Sequence, residues 1–234
     1  MIHIFTLKFG DRYSSHMVND LYITVKKYYK DFQFYCYTED SIGLVNGINV
    51  IPLTINDTVK LHWYKMDFFK NDFVRYGDDD SVIVMDIDQM FVNDPTPMLD
   101  YKVKDNHIGT TPRWWLDAPT HALNGGWYKF KANTMQYVHD KFYSDPDHWQ
   151  TYYFYNNTVS YLYYGEQNFV CDAIEHRVDL MPMEWNCRAM SNGDNYSLNL
   201  KYYELTKEPM VIADEWAPEI KLVHYSGYLN LLKS

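Results

Sequence analysis

The sequence predicts a single α/β domain, on three observations. Strand-like and helix-like segments alternate through its first half, as parallel strands joined by crossover helices require. The chain has 234 residues, 47% of them apolar, enough to bury one sizeable core without splitting in two. No internal repeat, proline-rich linker or long charge block divides it; the longest acidic run is Asp78-Asp79-Asp80.

The elements follow in order. Residues 2–7 form a short apolar strand that stops at Lys8-Phe9-Gly10-Asp11. Ser14 or Ser15 then caps a helix to about residue 29, because Met17, Val18, Leu21, Tyr22 and Val25 recur at helical spacing. Strands are expected at residues 32–37 and 48–53, a helix at 59–70, and a strand at 81–86. From residue 107 the pattern turns mixed, with strands at 107–111 and 123–131 and helices at 134–142 and 165–176. Residues 149–164 read as a long aromatic connection, and loops of that length in compact domains are commonly functional. A late strand at 221–225 closes the pattern.

Charge narrows the partners. With 31 acids against 21 bases, a net charge of -10, the surface repels nucleic acid and anionic membranes. An anionic substrate then needs local neutralisation by a cation or a few placed bases. The odd set Cys36, Cys171 and Cys187 shows no metal-type spacing and reads as buried thiols in a reducing compartment. No run of about 18 apolar residues occurs, so no transmembrane segment is expected and cytoplasm is the default location.

The chemistry concentrates where the strand Ser81-Val82-Ile83-Val84-Met85 runs into Asp86-Ile87-Asp88. Two-residue periodicity places Asp86 and Asp88 on one face, at the carboxyl edge where open α/β sheets bind ligands. Two hard oxygen donors there suit a divalent cation that keeps room for diphosphate oxygens. A strand-end Asp-x-Asp is also the nucleophile and proton-donor pair of haloacid-dehalogenase-type phosphohydrolases, the second enzyme reading. Against it, Gln89-Met90 follows the pair here and a full βαβ unit precedes it.

Further motifs carry a resemblance over nearly the whole length. Thr6-Leu7 with Asp11-Arg12-Tyr13, the stretch Lys60-Leu61-His62-Trp63-Tyr64-Lys65, the Asp-x-Asp, Asn124-Gly125-Gly126, Glu166-Gln167 and His224-Tyr225-Ser226-Gly227 together resemble the GT-A glycosyltransferases, nearest the glycogenin-like group and its small bacterial and viral relatives. The resemblance implies one Rossmann-like GT-A domain over residues 1–234, a mixed central sheet flanked by helices, with residues 1–105 for the nucleotide and 106–234 for donor sugar and acceptor. It implies a metal-dependent hexosyltransferase using a UDP-sugar, UDP-glucose or UDP-galactose, and a saccharide, lipid or protein acceptor.

Residue by residue, the backbone around Thr6, Leu7 and Lys8 would meet the uracil and Tyr13 would stack on it. Ile87 lies between the two carboxylates. Lys65, ranked ahead of Lys60 by its spacing to Asp86, would approach the diphosphate. Asn124 and Gln167 would orient the donor sugar, and Gly227 would let backbone lie against the diphosphate. His224 would join Asp86 and Asp88 as the third metal ligand, and a nitrogen donor favours Mn2+ over Mg2+.

The chain departs from the family where a lysine is expected three residues after the glycine. Asn230 stands there, with Lys233 beyond it, so phosphate neutralisation falls to Lys65 or Lys233. Retention of configuration ranks ahead of inversion, which would need a carboxylate base; Glu184, Asp214 and Glu215 are its candidates. A third reading, from another class, is a non-catalytic carbohydrate-binding protein that has kept the fold.

Overall fold

The computed structural model describes residues 1–113, 121–156, 165–188 and 216–225. In chain order its elements are β1 (Ile2–Lys8), α1 (Ser15–Tyr28), β2 (Phe32–Thr38), β3 (Ile48–Pro52), a 3-10 stretch (Leu61–Phe69), β4 (Ser81–Met85), β5 (Gln89–Phe91), α2 (Thr96–Leu99), β6 (Ile108–Thr110), β7 (Trp127–Lys131), α3 (Gln136–Ser144), α4 (Pro146–Asn156), α5 (Glu166–Ala173), β8 (Val178–Leu180), β9 (Asn186–Arg188) and β10 (Leu222–His224).

Seven strands form the main sheet in the order β3-β2-β1-β4-β7-β6-β8. Strands β3, β2, β1 and β4 run parallel, and β7 is antiparallel to both β4 and β6. The sheet is therefore mixed, with a parallel first half, as the alternating pattern implies. Strand β1 shows why these residues pair as they do. Ile2 and Ile4 point into one core and Phe5 and Leu7 into the other; on β4, Ile83 and Met85 oppose Val82 and Val84 in the same way. A strand covered on both faces is largely apolar, hence Val82-Ile83-Val84-Met85 on β4; on β1 the buried His3 and Thr6 are tolerated because they are hydrogen-bonded, to Asp80 at 2.8 Å and to the Met85 carbonyl at 2.9 Å. Helix α1 covers the first face with Met17, Val18, Leu21 and Val25, all buried.

The 59–70 segment differs from the helix expected of it. It is a 3-10 stretch entered through Leu61 at a φ of 50°, and its preceding residue makes no side-chain cap. Trp63, Tyr64, Met66, Phe68 and Phe69 are all buried, so nearly every side of the segment must contact protein. Tertiary packing then sets the backbone in place of α propensity. Trp63 anchors it, stacked on Phe142 of α3 with ring centroids 5.2 Å apart.

Residues 149–164 also depart from expectation, because their first part is helical. Helix α4 starts at Pro146, and Asp145 accepts a hydrogen bond from the His148 N–H at 3.0 Å. That is an acidic N-cap followed by proline at the first helical position. Strand β7 begins later than expected, at Trp127, because residues 123–126 are spent on the turn that leads into it, α3 is shifted to Gln136–Ser144, and α5 ends at Ala173, short of the expected 176.

Helix α5 depends on Gly165, which sits at a φ of 132° and accepts hydrogen bonds from both Asn168 and Phe169 at 3.0 Å. A Cβ there would lie 2.9 Å from the Tyr153 Cβ of α4. Backbone strain and the forced shift of Tyr153 add, so Gly165→Ala is expected to lose about 2–4 kcal/mol of stability in urea denaturation.

A second sheet, ordered β5-β10-β9, lies past the end of β4. Strand β10 is antiparallel to β5 with His224 opposite Gln89. All three cysteines are buried and outside any disulfide among the described residues, and burial pushes the Cys36 thiol up to about 12. Among the described residues no helix is long and apolar enough to cross a membrane.

Candidate functional site

Because β1 and β4 are parallel neighbours, their carboxyl ends open on one edge of the sheet, the edge where α/β folds bind ligands. A cleft of about 210 Å³ lies there, lined by Leu7, Phe9, Arg12 and Tyr13 after β1, His62 and Lys65 of the 3-10 stretch, Asp86, Ile87 and Asp88 after β4, and His224 of β10. Strand β4 ends at Met85, so the two aspartates reach the cleft through a turn and not through strand alternation.

That turn is held from both sides. The Asp86 N–H donates to the Gly126 carbonyl at 2.8 Å, and the Tyr225 N–H donates to the Asp88 carbonyl at 2.8 Å. The second bond extends the β10–β5 pairing and delivers His224, whose Nε2 lies 3.1 Å from Asp88 Oδ1. Asp86, Asp88 and His224 each offer one ligand atom, all within 4.8 Å of one another. Two carboxylates and an imidazole converging on an open cleft fit a divalent cation of the Mn2+ or Mg2+ kind, the nitrogen tilting the set toward Mn2+.

Lys65 is the cation beneath this cluster. It is 3% exposed, and its Nζ donates to Asp86 Oδ1 at 2.6 Å and to the Gly125 carbonyl at 3.0 Å. Burial works against the ammonium, but attraction from Asp86 and then Glu166, with the hydrogen bond to Asp86, outweighs it, and the pKa lies above its ordinary value. Lys65 therefore stays charged. Lys60, the alternative, donates instead to the Asp57 carbonyl at the surface.

The remaining residues singled out in the sequence divide into two groups. Leu7, Tyr13 and Ile87 border the cleft, and the Arg12 guanidinium stands 5.2 Å over the Tyr13 ring. Thr6 is fully buried and donates to the Met85 carbonyl at 2.9 Å, tying β1 to β4 at the cleft floor. Lys8 is buried and its Nζ reaches the Asp40 carbonyl at 3.4 Å. Asn124 does not line the cleft: it is 2% exposed, donates to Thr111 Oγ1 at 3.0 Å and accepts from the Gly126 N–H at 3.0 Å. Gln167 accepts from the Gly125 N–H at 2.9 Å, so Gly125 is gripped by Lys65 on one side and Gln167 on the other. Gly227, Lys233, Asp214 and Glu215 lie outside the described residues, and Glu184 is exposed on a short 3-10 turn at Met183–Trp185.

Phe9, Arg12 and His62 were not assigned roles from the sequence, yet all three face the cleft. Arg12 had a signal, being a base beside Tyr13 in a strongly acidic chain. Gln89 is less obvious still: it is fully buried, and neither end of its amide has a hydrogen-bond partner among the described residues. A Cβ placed on Gly126 would lie 2.8 Å from Gln89 Nε2, 3.3 Å from Asn124 Oδ1 and 3.3 Å from Asp86 Oδ2. Glycine at 126 thus lets three polar side chains pack behind the aspartate turn.

No protein-family model matches the chain, and no curated protein matches it. Solved structures do. A galactosyltransferase, LgtC, in complex with donor and acceptor sugar analogs superposes at a TM-score of 0.62 with 13% identity, over 96% of this chain and 87% of that one. The glycosyltransferase GlyE of Streptococcus pneumoniae TIGR4 gives 0.56 and 13%, over 80% of this chain and 47% of that one. The bifunctional glycosyltransferase WbbM gives 0.58 and 11%, over 96% of this chain and 45% of that one. The fold is the GT-A fold, a mixed sheet flanked by helices.

Proposed function

We propose that this chain is a metal-dependent glycosyltransferase that moves a hexose from a nucleotide diphosphate sugar to a saccharide, lipid or protein acceptor. The observation that carries the proposal is the meeting of Asp86, Asp88 and His224 in one cleft at the carboxyl edge of a GT-A sheet. Fold alone does not give function, and a pure sugar binder has no need of this donor set.

A divalent cation held by these three residues, Mn2+ ahead of Mg2+, would offset the charge that develops on the departing nucleotide diphosphate. The chain's own groups do the rest. Tyr13 offers a ring face at the cleft wall for a nucleobase, and the choice of UDP, with UDP-glucose or UDP-galactose as donor, rests on the resemblance read from the sequence. Arg12 brings an exposed positive charge to the cleft, a local exception to a net charge of -10. Lys65 holds Asp86 by a short ion pair and fixes its carboxylate before substrate arrives. Asn124 acts from behind, shaping the turn at Gly125 and Gly126. Gln167, partly exposed beside that turn, is the candidate to meet the donor sugar. Retention of configuration is the preferred outcome on the resemblance read from the sequence; Glu184, the one inverting-base candidate among the described residues, does not line the cleft.

Calorimetric titration with UDP, and separately GDP, each with Mn2+ and with chelator, tests the reading. UDP binding that appears only with Mn2+ is the expected result. Absence of binding by either nucleotide under either condition would remove the transferase assignment and direct attention to phosphate esters and glycans.

A further inference from the structure

A second cluster of metal-binding groups lies away from the cleft, where the segment leading to Asn124 meets the end of α5. His121 Nε2 and His176 Nε2 approach the same oxygen of Asp172, Oδ1, at 2.9 and 3.1 Å. The three side chains offer ligand atoms within 4.8 Å of one another. His121 is 13% exposed, Asp172 32% and His176 55%, so the cluster opens to solvent on one side.

Two further features set this apart from a chance gathering of surface charge. The groups are oriented from behind: Tyr153 donates to the other Asp172 oxygen, Oδ2, at 2.6 Å, and His176 Nδ1 lies 3.5 Å from the buried Cys171 Sγ. Such outer contacts are what aim carboxylate and imidazole ligands at a metal. The backbone is bent to suit as well. Glu175 and His176 are consecutive left-handed residues without glycine, at φ of 54° and 58°, and the His176 N–H closes the reversal on the Cys171 carbonyl at 2.8 Å. That conformation costs on the order of 1–3 kcal/mol per residue, and it turns His176 back over the helix toward Asp172.

We propose that His121, Asp172 and His176 form a second metal site that takes Zn2+ and is distinct from the Asp86-Asp88-His224 cluster. Two imidazoles and one carboxylate are a zinc donor set, with water as fourth ligand on the open side. Bonds of about 2.0–2.2 Å in tetrahedral array need ligand atoms roughly 3.3–3.5 Å apart, so separations of 2.9 and 3.1 Å need open only by a few tenths of an ångström. Zinc there ties the segment ending in Asn124-Gly125-Gly126 to the helix that begins with Glu166-Gln167, and so braces two parts of the cleft's rim from outside.

The test starts from an Asp88→Asn, His224→Ala double variant, which removes two of the cleft's three metal ligands and keeps the buried Lys65–Asp86 ion pair. Zn2+ alone is titrated against a chromophoric chelator. One tight equivalent is expected to remain, to vanish when His176→Ala is added, and to weaken roughly tenfold with Tyr153→Phe. Zinc should raise the melting temperature of the double variant and leave that of the triple variant unchanged. His176 is exposed, so its truncation leaves the core intact, which circular dichroism checks. Loss of all tight zinc in the double variant, or equal zinc retention without His176, overturns the proposal. Neither result bears on UDP binding by the intact cleft.

Discussion

Asp88→Asn is expected to lower sugar transfer at least a thousandfold, about 4 kcal/mol of transition-state stabilisation, while leaving the fold intact. The substitution keeps the shape of the side chain, whose amide still meets His224 Nε2, now 3.1 Å from the carboxylate. What it removes is one of two negative charges in the donor set, at a residue only 7% exposed, where water replaces that charge poorly. Affinity for Mn2+ should fall with it, and so should Mn2+-dependent UDP binding. Initial rates with UDP-glucose and UDP-galactose, with hydrolysis as the readout when no acceptor is known, measure the first effect. Thermal unfolding within a few degrees of the parent checks the second. Retention of more than a tenth of the parent rate would mean that Asp88 holds no essential metal. A phosphohydrolase behaves differently, since its nucleophile would be Asp86 and its substrate a phosphate ester.

The parallel half of the sheet was legible because each of its strands carries the information locally. β1 and β4 are buried on both faces and so mainly apolar; the run on β4 ends where the strand ends, and the Asp-x-Asp marks the carboxyl edge. The 3-10 stretch was misread because its apolar residues answer to neighbours distant in sequence, such as Phe142 against Trp63, and not to a helical period. Helix α4 was overlooked for the opposite reason: its Asp145-Pro146 start is a local signal, masked by the aromatic composition that follows.

The site divides in the same way. Asp86 and Asp88 can be read from one strand, whereas the approach of His224 depends on β10 pairing with β5 across more than a hundred residues, and only a family resemblance anticipates it. Asn124 and Gln167 were expected at the donor sugar; their hydrogen bonds go to Thr111, Gly126 and Gly125, a use no spacing rule reveals. The cleft therefore has two layers, one of charged groups facing substrate and one of amides and glycines that fixes the first. Lys65 is the residue that belongs to both.

Lys65→Met separates those two contributions. Methionine fills most of the volume of the lysine stem but leaves Asp86 without its counter-ion and the Gly125 carbonyl without its donor. Breaking a buried ion pair typically costs 3–5 kcal/mol, and Asp86, with 27% of its side chain exposed, recovers part of that from water; a loss of about 3 kcal/mol in urea denaturation is expected. The substitution should then act with opposite signs on the response to Mn2+ and on catalysis. In the parent, Lys65 repels a cation at Asp86; in the variant the Asp86 carboxylate, relieved of that charge, attracts it more strongly, so saturating Mn2+ should raise the variant's melting temperature further than the parent's. Transfer should still fall, by roughly a hundredfold, because the positive charge and the fixed Asp86 carboxylate are lost together. Stability within about 0.5 kcal/mol of the parent would show that Lys65 is not a structural counter-ion. Normal transfer by a destabilised variant would confine its role to folding. Loss of both, with the larger Mn2+ response, is the signature of a lysine that holds the metal-binding carboxylate in place before the metal arrives.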